Sequence, residues 1–211
     1  MRKSAEEARR TRDRIVGVAV SRASTLGLSG LTIGALAETL NMSKAGVVGP
    51  FGSRGELQLA TLDRAVAMFL EAVVAPGRAA GTGLPCLHAV IDAWCAYLLQ
   101  SPFPNGCFVT AASCELDGQP GELRARLYDA VTRWRRFLAE QITAAQAAGD
   151  LAPDLDPEDL VSTLTGIAMA ANQEIQLLSD ERAASRARRL MRTALASHRP
   201  GPAAQARTEA P

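Results

Sequence analysis

The 211-residue chain is poor in aromatic residues and in histidine. Aromatic side chains make up 4% of it, and none lies in the basic N-terminal run, which argues against a single-strand nucleic-acid surface that stacks bases on rings. His88 and His198 are its two histidines, so few residues could serve as a general base. GxSxG, HExxH and phosphate-loop patterns are missing as well. We therefore expect no enzymatic activity.

Cysteine is scarce and unfavourably spaced for a metal site. Cys86, Cys95, Cys107 and Cys114 form no CxxC pair, and a zinc site or a disulfide scaffold is not predicted. In one helix, Cys107 and Cys114 would lie about 10 Å apart along the axis, beyond disulfide reach. Buried free thiols are the simpler interpretation, and a redox-responsive protein is the alternative. No metal or cofactor is expected.

Long apolar runs are also absent. The chain contains no stretch of about 18 consecutive apolar residues, which predicts that it does not span a membrane. Its first residues, MRKSAEEARRTRDR, are basic and amphipathic rather than the apolar core of a signal peptide. We expect a cytoplasmic protein.

Charge is divided unevenly along the chain. Residues 1–56 contain nine Lys and Arg against five Asp and Glu, a net charge of +4, whereas the whole chain carries +1. Residues 57–211 therefore carry −3. A basic head on a mildly acidic body suits an anionic polymer bound at one end. A solvated basic helix would give the same pattern.

Residues 32–57, TIGALAETLNMSKAGVVGPFGSRGEL, predict two short helices joined by a tight turn. Thr32 and Ser43 are placed to cap them, and Asn41 tolerates the left-handed conformation that ends a helix. The first helix has an apolar stripe formed by Ile33, Leu36, Ala37 and Leu40. Such a helix-turn-helix can place its second helix in the major groove of DNA.

This segment resembles the DNA-binding end of the tetracycline-repressor (TetR) family of regulators. The resemblance covers about residues 10–70. Its matching residues are Arg14-Ile15-Val16 through Gly27-Leu28, Thr32-Ile33, Leu36-Ala37, Met42 to Val47 and Phe51 to Leu57. The chain departs from the family at Val48, where Tyr or Phe is usual, and at Pro50, which cannot continue a helix. We therefore predict a short third helix with fewer phosphate contacts than usual.

The resemblance and the helical periodicity together predict an all-α fold. An N-terminal three-helix helix-turn-helix domain would occupy residues 9–56, with the motif at about 32–51. A larger helical effector-binding and dimerisation domain would follow over residues 57–198, with a loop at 76–85, and residues 199–211 would be disordered.

Lys44, Arg54, Thr32 and Ser43 are expected to contact the phosphate backbone of double-stranded DNA. The residues expected nearest the base edges are Ala45, Gly46, Val47 and Val48.

The resemblance implies dimerisation through the last two long helices. A twofold dimer would read a palindromic operator with half-sites about one helical turn or more apart. The expected interface is Leu164, Ile167, Ala168, Ala171, Ile175, Leu178, Ala187, Leu190, Met191 and Ala194. The alternative is that both apolar stripes belong to the intrachain core.

Family members typically bind a small molecule in the body and then lose affinity for DNA. The candidate effector contacts are Trp94, Phe103, Phe108, Trp134, Leu138, Glu115, Asn172, Gln173 and Gln176. Each could instead be an ordinary core or surface residue. The expected protein is a repressor that a small apolar or amphipathic effector releases from DNA. The alternatives are a redox-responsive regulator that uses the body cysteines and a helical protein-interaction module that has lost strong DNA binding.

Overall fold

The computed structural model describes residues 2–200, without the side chains of residues 2–4. Beyond its first two residues, the tail predicted at 199–211 lies outside this range. Every regular element described is helical, as predicted. The helices are α1 (Arg2–Leu26), α2 (Ile33–Leu40), α3 (Lys44–Val48), α4 (Arg54–Phe69), a π-helical turn (Leu70–Val74), α5 (Ala75–Ala79), α6 (Leu84–Leu99), α7 (Phe108–Leu116), α8 (Glu122–Ala147), α9 (Pro157–Gln176) and α10 (Ala183–Ser197). None of these helices is long and apolar enough to cross a membrane.

The chain divides into two compact units. The first unit runs to Met68 and adds Pro102–Ala130, whereas the second joins Phe69–Ser101 with the chain from Val131 onward. The unit that contains the helix-turn-helix therefore also contains α7, from the segment assigned above to the body. The boundary expected between residues 56 and 57 stays a prediction.

In the first unit, capping residues set the bounds of α2 and the start of α3. The Thr32 hydroxyl accepts a hydrogen bond from the Ala35 amide at 3.2 Å and begins α2. The Ser43 hydroxyl accepts from the Gly46 amide at 3.0 Å and begins α3. Asn41, with φ 51°, ends α2 in the left-handed conformation. These three caps are confirmed, and they fix the turn between α2 and α3.

The second unit is built around α6, which packs against α5, α9 and α10. Most of the large apolar side chains of α6 are almost completely buried, among them Leu87, Val90, Ile91 and Leu98. Asp156 caps α9 by accepting from the Glu158 amide at 2.9 Å, as its position before Pro157 predicts.

The loop predicted at 76–85 is wrong at both ends, because the chain stays helical through Ala79 and α6 begins at Leu84. A π-helical turn precedes Pro76, and in it the Ala75 amide donates to the carbonyl of Leu70, five residues earlier. Pro76 thus falls in the first turn of α5, where a missing N–H is tolerated. Gly77 then approaches α6 so closely that a β-carbon there would lie 2.4 Å from Val90 Cγ2.

Candidate nucleic-acid interface

Helix α3 presents one face outward and anchors the other in the first unit. Lys44 and Ala45 are exposed, Val48 is half-buried, and Val47 has no exposed surface. Positions 44, 45 and 48 span about 100° of the helix circumference, so they form one face. The expectation that Val47 lies at the base edges is therefore wrong. Its side chain packs in the core and orients α3.

Helix α3 ends after five residues, as Pro50 predicts. Gly49 donates to the Ala45 carbonyl at 2.8 Å, and the Phe51 and Gly52 amides both donate to the Val48 carbonyl at 2.9 Å. Pro50 lacks an N–H, and the chain turns away from the helix axis at this point. The short helix limits the outward face to the side chains of its first and last turns.

The Lys44 side chain runs along the start of α2. A β-carbon built on Gly34 would lie 3.7 Å from Lys44 Cε, which places the lysine stem beside the first helical turn of α2. The partial positive charge of that helix end adds to the ammonium charge. Thr32 and Ser43 are exposed, and although their oxygens cap helices, each hydroxyl keeps a hydrogen to donate. Phosphate is the ligand that this arrangement suits.

Arg54 has a structural role that the sequence did not reveal. Its Nε donates to the Leu31 carbonyl at 3.0 Å, and its Nη2 donates to the Ser29 carbonyl at 2.6 Å. The guanidinium thus holds the loop between α1 and α2. Contact between Arg54 and phosphate stays a prediction. It would have to use the guanidinium N–H groups that do not bind these two carbonyls.

Three further arginines of the basic head also bind within the first unit. Arg14 Nη2 donates to the Leu40 carbonyl at the end of α2, at 2.7 Å, and Arg22 Nη1 donates to Thr39 Oγ1 at 2.9 Å. The Arg12 guanidinium lies 4.9 Å from the ring centre of Phe51. The number of basic residues therefore overstates how many side chains are free to contact DNA, because these arginines also hold the helix-turn-helix together.

The second unit contains a cluster of aromatic rings that joins two of the predicted effector residues. Trp94 and Trp134 meet edge to face, with ring centres 5.0 Å apart. Phe69 lies 5.1 Å from Trp134, Tyr97 lies 5.4 Å from Phe69, and Phe137 lies 5.9 Å from Trp134. Sequence reasoning missed Phe69, Tyr97 and Phe137, because these rings come from three different helices and share no sequence motif.

The remaining effector candidates have other surroundings. Phe103 and Phe108 pair in the first unit with ring centres 5.7 Å apart, and the Glu115 carboxylate there binds backbone amides. Leu138 is buried in the second unit. On α9, Asn172 and Gln176 are half-buried and Gln173 is exposed. Effector contact by any of these residues stays a prediction.

Half of the expected dimer residues face the core of their own chain. This correction applies to Leu164, Ala168, Ala171, Ala187 and Met191, each no more than 3% exposed. The apolar stripes of α9 and α10 pack on each other and on α6, which is the alternative that the sequence left open. Three more residues, Ile167, Ile175 and Ala194, are half-buried. Leu178 and Leu190 are exposed.

The cysteines do not form an exposed reactive group. Burial raises the pKa of the Cys86, Cys95 and Cys107 thiols, which lowers their thiolate content, and only Cys114 is exposed. Over residues 2–200, no group of three His, Cys, Asp or Glu side chains could hold a metal ion.

Comparison with solved structures shows the same fold in known regulators. A TetR transcriptional regulator from Chloroflexus aurantiacus is 22% identical, with a TM-score of 0.84 over 94% of this chain and 98% of its own. A TetR-family regulator from Cytophaga hutchinsonii is 18% identical, with a TM-score of 0.80 over 92% and 98%. AibR, crystallised with isovaleryl coenzyme A and operator DNA, is 19% identical, with a TM-score of 0.65 over 77% and 86%.

Comparison of the sequence itself identifies the family. No curated protein matches the chain. The family described as "Tetracyclin repressor-like, C-terminal domain" matches residues 83–191, which is just over half of the chain. The chain therefore belongs to the tetracycline-repressor-like (TetR) family of transcriptional regulators.

Proposed function

We propose that the protein is a sequence-specific DNA-binding repressor, a homodimer that a small effector releases from a palindromic operator. The observation that carries this proposal is the outward face of α3, where Lys44, Ala45 and Val48 lie together while Val47 anchors the helix. A helix held in this way can enter the major groove. The similarity to AibR, which was crystallised with operator DNA, supports the proposal.

The chemistry of this face suggests how bases are read. Its side chains are one amine and two aliphatic groups, without the amides, carboxylates or guanidinium groups that usually form paired hydrogen bonds with bases. Ala45 and Val48 suit apolar contact with the methyl group of thymine. Lys44, held beside the start of α2, suits phosphate. We propose that thymine methyl groups carry much of the sequence preference.

The first test uses DNA that flanks the coding region of this protein, because regulators of this family often act on neighbouring sequence. A duplex containing the operator should bind about a thousandfold more tightly than a shuffled duplex of the same composition. Affinity should fall steeply as salt is raised, because lysine and arginine displace counterions from phosphates. Fluorescence anisotropy at several salt concentrations measures both properties.

Lys44→Ala is the variant for this test, and Arg136→Ala, an exposed arginine of α8, is its charge-matched control. Lys44→Ala should weaken binding to every sequence and reduce the salt slope by about one per subunit. The control should change neither property. Equal affinity of the wild-type protein for operator and shuffled DNA contradicts the proposed function. A Lys44→Ala effect confined to one base pair contradicts only the phosphate assignment.

We propose that the dimer forms through the exposed side of α9 and α10. Gly166, Met169 and Ala170 lie at helical spacing along α9 and are exposed. Leu177, the residue after α9, and Leu190 of α10 are exposed as well. A β-carbon on Gly166 would touch nothing within 4 Å, so a second helix could approach closely there. Two such helices from each subunit can form a four-helix interface.

Met169→Glu tests the interface. Twofold symmetry would bring two added carboxylates into one apolar contact, and we expect the variant to be monomeric where the wild-type protein is dimeric. Tyr128→Glu, which changes an exposed residue of α8 in the first unit, should remain a dimer. Sedimentation velocity at micromolar concentration gives the masses. A dimeric Met169→Glu protein, or a monomeric wild-type protein, overturns this assignment.

We propose that the aromatic cluster of the second unit contacts the effector. Its five rings would bury an apolar body, and the Arg78 guanidinium, 5.5 Å from the Phe137 ring centre, would favour an acidic end. The effector class is thus an amphipathic molecule with an anionic group.

Trp94 and Trp134, the only tryptophans of the chain, both lie in this cluster, so their fluorescence reports on it. Medium-chain fatty acids should change this fluorescence saturably, whereas the matching alcohols, which lack the anionic group, should bind at least about tenfold more weakly. Equal binding of acid and alcohol contradicts the role of Arg78. Unchanged fluorescence with both contradicts the site.

A further inference from the structure

The loop between α1 and α2 is bound by a carboxylate from the distant helix α7. Glu115 Oε2 accepts a hydrogen bond from the Leu28 amide at 2.9 Å, and Oε1 accepts from the Ser29 amide at 2.7 Å. One carboxylate therefore binds two consecutive peptide groups with both of its oxygens. Hydrogen bonds to an ionised acceptor are stronger than neutral ones.

At position 27, a side chain would collide with the Glu115 carboxylate in its present position. Gly27 has φ +77°, and a β-carbon on it would lie 2.8 Å from Glu115 Oε2. On the other side of the contact, Gln119 Nε2 donates to the Glu115 carbonyl at 2.8 Å. The Gln119 bond therefore ties the backbone at the end of α7, and glycine at position 27 permits the close approach of the Glu115 carboxylate.

The carbonyls of the same loop are bound by a different helix, α4. Gln58 Nε2 donates to the Leu28 carbonyl at 2.6 Å, and Arg54 donates to the carbonyls of Ser29 and Leu31. Helix α7 thus holds the N–H groups of the loop, and α4 holds its C=O groups. The residue that follows Leu31 is Thr32, which caps α2, so the position of this loop determines where α2 begins.

Helix α7 lies within residues 83–191, which match the C-terminal domain of the family, yet it belongs to the compact unit of the helix-turn-helix. We propose that Glu115 is a positioning residue for DNA reading. It holds the loop before α2, so any displacement of α7 lowers operator affinity through this carboxylate. This inference rests on the proposed function and names a residue through which that function can be regulated.

Two other roles for Glu115 make different predictions. If it acted only as a negative charge near DNA, its removal would strengthen binding, because phosphates would be repelled less. If it only stabilised the fold, its removal would lower the melting temperature but leave the operator affinity of the folded protein unchanged. A positioning role predicts weaker operator binding by the folded protein.

The test compares Glu115→Ala with Glu122→Ala, which removes the same charge from an exposed site at the start of α8. A cleft of about 390 Å³ opens beside Leu28 and Ser29, so water can reach the released amides and the variant is expected to fold. Operator affinity should fall about tenfold or more in Glu115→Ala, below its unfolding temperature, and should stay within about twofold in Glu122→Ala. Glu115→Gln keeps one acceptor oxygen and should recover part of the loss.

Amide hydrogen exchange, measured without DNA, separates this inference from the proposed function. Exchange at Leu28 and Ser29 should accelerate about tenfold or more in Glu115→Ala and less in Glu115→Gln. Unchanged exchange, or operator affinity equal to or above that of the wild type, overturns the positioning role. If the wild-type protein binds no specific DNA but exchange at these amides is still faster in Glu115→Ala, the proposed function is wrong and the role of Glu115 in holding the loop is supported.

Discussion

The burial of the Val47 side chain is the interaction on which the orientation of α3 depends. Helix α3 has five residues, too few for stability of its own, and tertiary contact must hold it. With Val47 fully buried, Lys44, Ala45 and Val48 lie about 60° to 160° around the helix from it and form the outward face. The Ser43 cap and the turn at Gly49 and Pro50 set the two ends. The surface that α3 presents to DNA therefore depends on the burial of one side chain and on the residues that begin and end the helix.

Polar side chains provide the second constraint, because they fix the backbone around this helix. Arg14 holds the end of α2, and Arg54, Gln58 and Glu115 bind the peptide groups that precede it. These residues come from α1, α4 and α7, so the position of α2 depends on three other helices. Some basic residues of the N-terminal segment thus make contacts that position the helix-turn-helix. A movement of any of those three helices can therefore displace α2.

Local sequence rules predicted the helix-turn-helix well because its boundaries depend on neighbouring residues. The caps at Thr32, Ser43 and Asp156 and the early end of α3 were all predicted from residue type and spacing. Periodicity identified the stripes on α9 and α10 but could not tell whether they face the chain core or a partner. The roles of Arg54 and Glu115 depend on contacts across 23 to 87 positions, which local patterns do not encode. The π-helical turn before Pro76 was missed because it depends on an irregular hydrogen bond.

The central claim is that Val47 orients α3 so that Ala45 and Val48 meet the bases. The most direct test is the affinity of the wild-type and Val48→Ala proteins for operator duplexes in which single thymines are replaced by uracil, which lacks the methyl group. The wild-type protein should lose about fourfold in affinity at one or two positions of each half-site, the effect of one buried methyl group. Val48→Ala should show a smaller loss at one of them. Wild-type affinity that is unchanged by uracil at every position would contradict the claim.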